Sequence, residues 1–339
     1  MSHLDYSVER VPTGWRKILY LNWPLVFLLT AVASAGFLML YSVSGGRPHM
    51  WAEPQIERFV VGMIAMIALA FTPIWFWRSI SVGFYAVCLL LLVLVEVMGH
   101  VGMGAQRWLV IGPIRIQPSE LTKIAFVMTL AAYYDWLPVE KVSRPLWVLI
   151  PVVLILAPTA LVLMQPDLGT SVMLIAGGGI VMFAAGVSLW YFAAVIAFVG
   201  GLVFAVLESR GTGWQLLHDY QYRRIDTFLD PTSDPLGAGY NITQAQIALG
   251  SGGWSGRGFM QGTQSRLNFL PEKHTDFIFT TLAEEFGFVG TMTLLTLYAL
   301  ILAFCLHSAL TNRDRFGSLL TVGVGGTFFL VFLLRKGRL

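Results

Sequence analysis

The sequence predicts an all-α, polytopic integral membrane protein. Hydrophobic residues make up 56% of the 339 positions, charged residues only 12%, and the mean hydropathy is +0.70. This apolar share exceeds that of ordinary globular domains. The apolar residues recur in runs of roughly 20, the length that a helix needs to cross a hydrocarbon core. Because a helix satisfies its own backbone polar groups in lipid, these runs predict transmembrane helices.

Nine runs are candidate spans. The fourth differs from the others because Glu120, Lys123 and Asp135 interrupt or flank it. Eleven Trp and eleven Tyr fit aromatic belts at the membrane surfaces. Cys88 and Cys305 lie in separate apolar runs, so neither a disulfide nor a metal framework is implied. The spans run approximately over 22–43, 57–77, 81–99, 119–136, 146–164, 169–186, 188–207, 285–308 and 316–335.

The charge pattern predicts the orientation of the spans. Arg10, Arg16 and Lys17 precede the first run, which places the N-terminus in the cytoplasm. The segments 100–118 and 208–274 then fall outside. The predicted organisation is a cytoplasmic N-terminus (1–21), seven transmembrane helices (22–207), an extracytoplasmic loop (208–274), and two further helices with the C-terminus (275–339).

Basic residues on the predicted outer face oppose the usual orientation bias. They therefore indicate an anionic ligand on that face, and the small net charge of +3 does not indicate nucleic acid. Nine spans also leave the basic tail 335–339 outside, so we expect a truncated or altered C-terminus that lacks a tenth span. The outer basic residues are Arg107, Arg115, Arg223, Arg224, Arg257, Arg266 and Lys273.

The first polar cluster lies at the start of the fourth span, in the sequence IQPSELTKIAF. Ser119 is the expected N-cap, and Glu120 stands in the first turn. Glu120 and Lys123 are three residues apart, so they share a helix face and can pair. The pair either fixes the span or faces a functional cavity, as charged groups at membrane depth often do.

Arg107 and Asp167 are two further charged residues on the predicted outer face. Arg107 could bind a phosphate bidentately, while the neighbouring Trp108 could stack on a sugar or lie at the membrane interface. Asp167, in QPDLGTS between the fifth and sixth spans, is either an Asx-type turn residue or a group that positions Lys123 or an arginine.

The segment 208–274 is too long for an ordinary connection, which indicates a functional role. Arg223 and Arg224 could present two guanidinium groups to an anion. The glycine-rich run Gly250–Gly262 lacks the Gly-Lys-Ser/Thr ending of a P-loop. Its glycines are expected to allow tight turns and close backbone approach to a ligand or to the membrane surface.

The densest polar stretch is Asn268–Gly290, NFLPEKHTDFIFTTLAEEFGFVG. Asp276 follows His274 and stands at a helix start, where it either caps the helix or serves as a chemical group. A carboxylate, several arginines and a Glu–Lys pair suit glycosyl transfer from a polyprenyl pyrophosphate, with a base for the acceptor and cations for the leaving group. Spacing alone does not separate this chemistry from binding and moving such a lipid.

The motifs GAQRWLVIG…IQPSELTKIAF, QPDLGTS and FLPEKHTDFIFTTLAEEFG resemble those of the SEDS family (shape, elongation, division and sporulation). GTQSRLNFLPE resembles the RodA-like elongation branch more than the division branch. The resemblance covers the chain from about Leu21 to Leu334. The family's ten spans and its Pro-Leu-Pro…Ser-Tyr-Gly-Gly loop between the last two are not matched, which puts the activity of this polypeptide in question.

The resemblance implies a peptidoglycan glycosyltransferase that polymerises lipid II on the outer face of the bacterial inner membrane. It implies a class B penicillin-binding protein and other elongation-complex membrane proteins as partners. The essential aspartate of the family maps onto Asp276. Other family positions map onto Trp108, Glu120, Lys123 and Asp167. With Arg107, Arg223, Arg224 and His274, these residues form the expected substrate site.

Two other functions remain open at this stage. A flippase or transporter of lipid-linked precursor would need polar groups along a path to the cytoplasmic side, whereas the polar clusters here gather on one face. A non-catalytic scaffold for the penicillin-binding protein would not need Asp276. The residues identify no cofactor, although a divalent cation (Mg²⁺ or Mn²⁺) could share the charge neutralisation. No dedicated carboxylate cage for a metal is visible.

Overall fold

The predicted all-α architecture is confirmed in the computed structural model, which describes residues 18–19, 21–102, 105–111, 114–212, 215, 222, 226, 230, 238–263, 274–275 and 277–336. Ten α-helices lie within these residues, together with a small antiparallel sheet in the order β1-β2-β3 that the sequence did not predict. The elements are α1 (Trp23–Val43), α2 (Pro48–Phe71), α3 (Ile74–Met98), β1 (His100–Gly102), β2 (Ala105–Ile111), β3 (Ile114–Ile116), α4 (Pro118–Trp136), α5 (Pro145–Met164), α6 (Leu168–Ala184), α7 (Leu189–Glu208), α8 (Ala238–Ser251), α9 (Ile278–Thr311) and α10 (Arg315–Lys336).

Seven helices in the described part of the chain are long and apolar enough to cross a membrane: α1, α2, α3, α5, α7, α9 and α10. The apolar helix α6 is shorter, at 17 residues. The chain is therefore a multi-pass membrane protein. The count of nine spans stays a prediction.

Three helices begin at least seven residues earlier than their apolar runs predict, and one of them is α3, which begins at Ile74 rather than 81. α2 begins at Pro48 rather than 57, because a proline is well suited to the first helical position and polar residues are tolerated in a turn that extends beyond the apolar run. α9 begins at Ile278 rather than 285, and its helical geometry breaks at Gly287. The long segment before α9 contains a helix of its own, α8.

α4 forms the centre of the bundle although it carries the most polar of the nine runs. It packs against α3, α5, α6 and α10, and most of its residues are buried. Phe126, Leu130 and Tyr134 belong to the main hydrophobic core. Thr122 and Thr129 satisfy their hydroxyls by donating to the carbonyls of Pro118 and Ala125, both at 2.9 Å. Polar side chains that bond their own helix can thus be buried at membrane depth.

The peripheral helices turn apolar side chains outward. Every residue of α7 is at least partly exposed, among them Trp190, Ile196 and Phe198. In water such a surface would be costly, but against lipid it needs no protein partner. We therefore expect most of the α7 surface to face lipid.

The two ends of the bundle are joined by different contacts. At one end, Gln165 after α5 donates to the carbonyl of Leu92 in α3 over 3.1 Å. At the opposite end, Arg315 at the start of α10 donates to the carbonyl of Leu137 after α4 over 2.9 Å. The sheet, the first turn of α4 and the beginning of α9 also lie at the first end, which carries those predicted site residues that the structure describes.

Candidate active site

Arg107 holds the turn between α5 and α6. It lies on β2, and its Nε donates to the carbonyl of Gln165 at 3.2 Å while an Nη donates to the carbonyl of Pro166 at 2.5 Å. Another Nη lies 3.7 Å from Oδ2 of Asp167. At least two of the five N–H donors of Arg107 are thus directed at protein oxygens. The geometry favours Arg107 as a residue that shapes the turn.

Asp167 is the N-cap of α6. Its Oδ1 accepts from the amide of Thr170 at 3.2 Å and its Oδ2 from the Thr170 hydroxyl at 2.9 Å. Both alternatives left open by the sequence are therefore realised, because Asp167 is a turn residue and also lies beside an arginine. That arginine is Arg107, and the amine of Lys123 is paired elsewhere.

Glu120 and Lys123 form the ion pair that their spacing predicts. The Nζ of Lys123 lies 2.8 Å from Oε1 of Glu120. The lysine side chain is 8% exposed and the glutamate side chain 56% exposed, so the carboxylate screens a buried cation from the outer end. The predicted capping role of Ser119 is wrong. Pro118 occupies the first helical position and Gln117 the cap, so Ser119 lies inside α4, where it is buried.

Trp108 follows Arg107 on β2, and successive strand residues point to opposite faces. The indole is 38% exposed, in contrast to the engaged guanidinium beside it. It is accessible for stacking on a sugar or for contact with the membrane surface.

His274 stacks on Trp51 from the first turns of α2. The two rings are 4.6 Å apart and inclined by 6°. The sequence analysis did not single out Trp51, although a tryptophan close to Pro48, between the first two predicted spans, was a visible signal. The adjacent Thr275 lines a cavity of about 230 Å³ between α1, α9 and α10, whose wall is mainly apolar.

Asp276, Arg223 and Arg224 lie outside the described residues, so their predicted roles stay predictions. A neighbouring arginine that the sequence analysis missed is Arg210, which binds both carboxylate oxygens of Asp226 at 2.8 and 2.7 Å. The hydrogen bond from Arg210 lowers the pKa of Asp226 below its ordinary value.

The segment that follows α8 docks into the break in α9. The amides of Arg257 and Gly258 donate to the carbonyls of Glu284 and Glu285, both at 3.0 Å. In the other direction, Phe288 donates to the carbonyl of Gly253 at 2.9 Å. The segment thus satisfies backbone groups that a continuous helix would pair internally.

Glycines make this approach possible. Gly287 has φ 63° and ψ −157°, a conformation essentially restricted to glycine. A Cβ at Gly256 would lie 2.1 Å from the carbonyl oxygen of Glu285. The sequence predicted close backbone approach to a ligand or to the membrane surface, whereas the observed neighbour is the backbone of α9.

The described residues place the Glu120–Lys123 pair, the Arg107–Asp167 contact and the Trp51–His274 stack at one end of the helical bundle. In that part of the chain, no group of three or more His, Cys, Asp or Glu side chains is placed to hold a metal ion. These features define a multi-pass helical membrane protein with ion pairs and aromatic rings gathered at one end of its bundle.

The chain belongs to the FtsW/RodA/SpoVE family of cell cycle proteins, whose family model matches residues 21–337. The resemblance found in the motifs is thereby confirmed. Peptidoglycan glycosyltransferase MrdB of Escherichia coli K12 is 39% identical over 323 residues, which cover 95% of this chain and 83% of the relative. Probable peptidoglycan glycosyltransferase FtsW of Idiomarina loihiensis is 32% identical over 361 residues, covering 99% and 85%.

Solved structures share the fold. RodA, the rod shape determining protein of Thermus thermophilus, matches with a TM-score of 0.64 and 27% identity over 92% of this chain and 83% of its own. A chain from a structure on the coordination of polymerization and crosslinking by a peptidoglycan synthase complex matches with a TM-score of 0.76 and 30% identity, covering 94% and 86%.

Proposed function

We propose that this protein is a peptidoglycan glycosyltransferase that polymerises lipid II into glycan strands during cell elongation. The observation that carries the proposal is its 39% identity, over 95% of the chain, to an enzyme named for this activity. The structure supports it with an ion pair, an engaged arginine and an accessible tryptophan at one end of the bundle. An amphipathic donor with a pyrophosphate and sugars fits such a surface at the membrane boundary.

In the proposed reaction, Asp276 is the general base. It takes the proton from the 4-hydroxyl of the acceptor N-acetylglucosamine, and that oxygen attacks C1 of the donor N-acetylmuramic acid. The bond from C1 to the pyrophosphate oxygen breaks, the anomeric configuration inverts from α to β, and undecaprenyl pyrophosphate leaves. The described neighbours His274, held against Trp51, and Phe277 flank this aspartate in the sequence.

Cations stabilise the negative charge that develops on the leaving pyrophosphate. Arg223, Arg224 and Lys123 are assigned to this role. Lys123 is buried, and an ammonium group removed from water interacts more strongly with a nearby charge than one in water. Arg107 and Asp167 shape the surrounding turn, Trp108 stacks on a sugar, and Glu120 controls access to Lys123. A divalent cation, Mg²⁺ or Mn²⁺, would add charge neutralisation when bound.

The protein is assigned to the bacterial inner membrane with its N-terminus in the cytoplasm and its site on the outer face. The basic residues before α1 and the alternation of the helices support this orientation. A class B penicillin-binding protein, with other elongation-complex membrane proteins, is the proposed partner. The similarity to a chain from a peptidoglycan synthase complex supports that association.

Labelled lipid II in proteoliposomes tests the function. The purified protein with its partner is expected to form glycan strands, resolved by gel electrophoresis, and the same vesicles report lipid II translocation by its protection from an external reagent. Translocation without glycan would contradict the proposal in favour of a transporter. Stimulated crosslinking by the partner, without any new glycan, would contradict it in favour of a scaffold.

A further inference from the structure

Glu285 is a buried carboxylate that the proposed reaction does not use. It is 1% exposed and lies two residues before the break in α9. Its Oε1 accepts from the hydroxyl of Ser42 at the end of α1 over 2.5 Å, and its Oε2 accepts from the amide of Met260 at 3.1 Å. One side chain thus connects α1, α9 and the segment that follows α8.

The neighbouring Glu284 binds the same segment. It is fully buried, and its Oε1 accepts from the hydroxyl of Thr263 at 3.0 Å. The same hydroxyl accepts from an Nη of Arg257 at 3.1 Å, while the amide of Arg257 donates to the carbonyl of Glu284 at 3.0 Å. Two adjacent glutamates therefore hold both ends of residues 257–263.

The residue that donates to Glu285, Met260, has an uncommon backbone conformation. Met260 has φ 61°, a left-handed conformation that is uncommon for a residue other than glycine. Such a conformation persists only where the surrounding structure determines it. The hydrogen bond from its amide to Glu285, a charge-assisted bond when the carboxyl is ionised, is one contact that holds it.

The segment 257–263 lies shortly before the proposed catalytic residue, Asp276, in the sequence. Ten residues (264–273) connect Thr263 to His274, which precedes Asp276 by two positions. From the other side, Ala245 of α8 packs in one buried cluster with Phe277, the residue after Asp276. α8 and the segment 257–263 therefore pack on the first turns of α9, before the break.

We infer that Glu285 is a positioning residue for the glycosyl transfer. Its carboxylate holds the segment 257–263 against α1 and α9, and so helps to position His274, which stacks on Trp51 and precedes the proposed base in the sequence. This inference rests on the proposed function. A misplacement of about 1 Å costs a reaction on the order of 100-fold in rate, so such a residue acts on kcat without touching the reacting atoms.

Replacing Glu285 by glutamine tests its positioning role separately from its charge, because glutamine is uncharged but can still form hydrogen bonds. In Glu285→Gln, the side-chain oxygen can still accept from Met260, and the NH₂ can donate to the Ser42 hydroxyl once that hydroxyl reverses. Glu285→Ala removes both bonds. Ser42→Ala removes one bond and keeps the carboxylate, and Glu96→Ala, at an exposed position of α3, is the matched control.

The experiment combines lipid II polymerisation, reported as kcat and KM per folded molecule, with hydrogen exchange of residues 256–263. Glu285→Ala is expected to lose amide protection there and to lower kcat on the order of 100-fold with little change in KM. Glu285→Gln is expected to keep protection and to stay within about fivefold of the wild type, the worth of about one neutral hydrogen bond. Glu96→Ala should match the wild type in both.

Two results would overturn the inference. If Glu285→Ala loses protection but keeps its kcat, the contact serves folding alone. If Glu285→Gln keeps protection yet is as slow as Glu285→Ala, the charge matters rather than the position. Should Glu285→Ala not fold, Ser42→Ala carries the same comparison, with partial loss of protection and of kcat expected together. If the wild type forms no glycan, the proposed function fails, and the exchange pattern alone decides whether Glu285 holds the segment.

Discussion

Replacing Gly287 by alanine tests whether the break in α9 is built on a glycine conformation and a close backbone contact. The added Cβ would lie 2.3 Å from the amide nitrogen of Gly256 and 2.8 Å from the carbonyl group of Trp254. Atoms do not approach so closely, so the docked segment must move or α9 must straighten. Either change breaks the hydrogen bonds from Phe288 and Val289 to the segment.

The cost follows from these contacts. The two hydrogen bonds contribute about 1 kcal/mol each, and the backbone conformation of Gly287 costs another residue about 1–3 kcal/mol. The docking of the segment should therefore weaken by roughly 3–5 kcal/mol. In a thermal unfolding experiment on the detergent-solubilised protein, a fall in Tm of roughly 4–7 °C is expected.

Gly200→Ala is the matched control, because a methyl group added there meets open space among the described residues of α7. It should raise the stability of the helix slightly, by about 0.5–1 kcal/mol. Hydrogen exchange of residues 252–258 should increase in Gly287→Ala and stay unchanged in Gly200→Ala. Unchanged Tm and unchanged exchange in Gly287→Ala would refute the described break and its docking.

Three further predictions concern single contacts. Arg107→Lys is expected to lower Tm by several degrees and to weaken lipid II binding, since an ammonium cannot bridge two carbonyls as a guanidinium does; equal binding by calorimetry would contradict this. Trp51→Leu should lower the polymerisation rate about tenfold by releasing His274, whereas Trp51→Phe should keep most of it; equal rates for both would show that stacking is irrelevant. The folded-state pKa of Asp226 lies below its unfolded value, so the stabilisation by Arg210 is present at neutral pH and is lost as the pH falls through that lowered pKa. The Tm difference between wild type and Asp226→Asn should therefore disappear in acid, and a difference that persists there would contradict the assignment.

Much of the fold could be predicted because it is encoded locally. Runs of apolar residues define helices, and the three-residue spacing of Glu120 and Lys123 defines an ion pair. The N-cap of α4 was predicted at Ser119, two residues after the observed cap at Gln117, because Pro118 occupies the first helical position. The preference of proline for the first helical position outweighed the preference of serine for the N-cap.

The contacts that were missed join distant parts of the chain. Ser42 and Glu285 are 243 residues apart, and a lone serine at the end of an apolar run carries no signal of its partner. For the same reason the glycine-rich run indicated close approach without identifying α9 as the neighbour. The sequence did not decide whether Asp167 lies beside Lys123 or beside an arginine, because that depends on where the strand carrying Arg107 packs.

The most direct measurement of the central claim compares glycan formation from lipid II by the wild type and by Asp276→Asn, at matched folding and matched lipid II affinity. The account predicts glycan strands from the wild type and a loss of rate of at least about 100-fold in the variant, the scale of a lost general base. An Asp276→Asn protein that binds its partner and polymerises lipid II at the wild-type rate would contradict it.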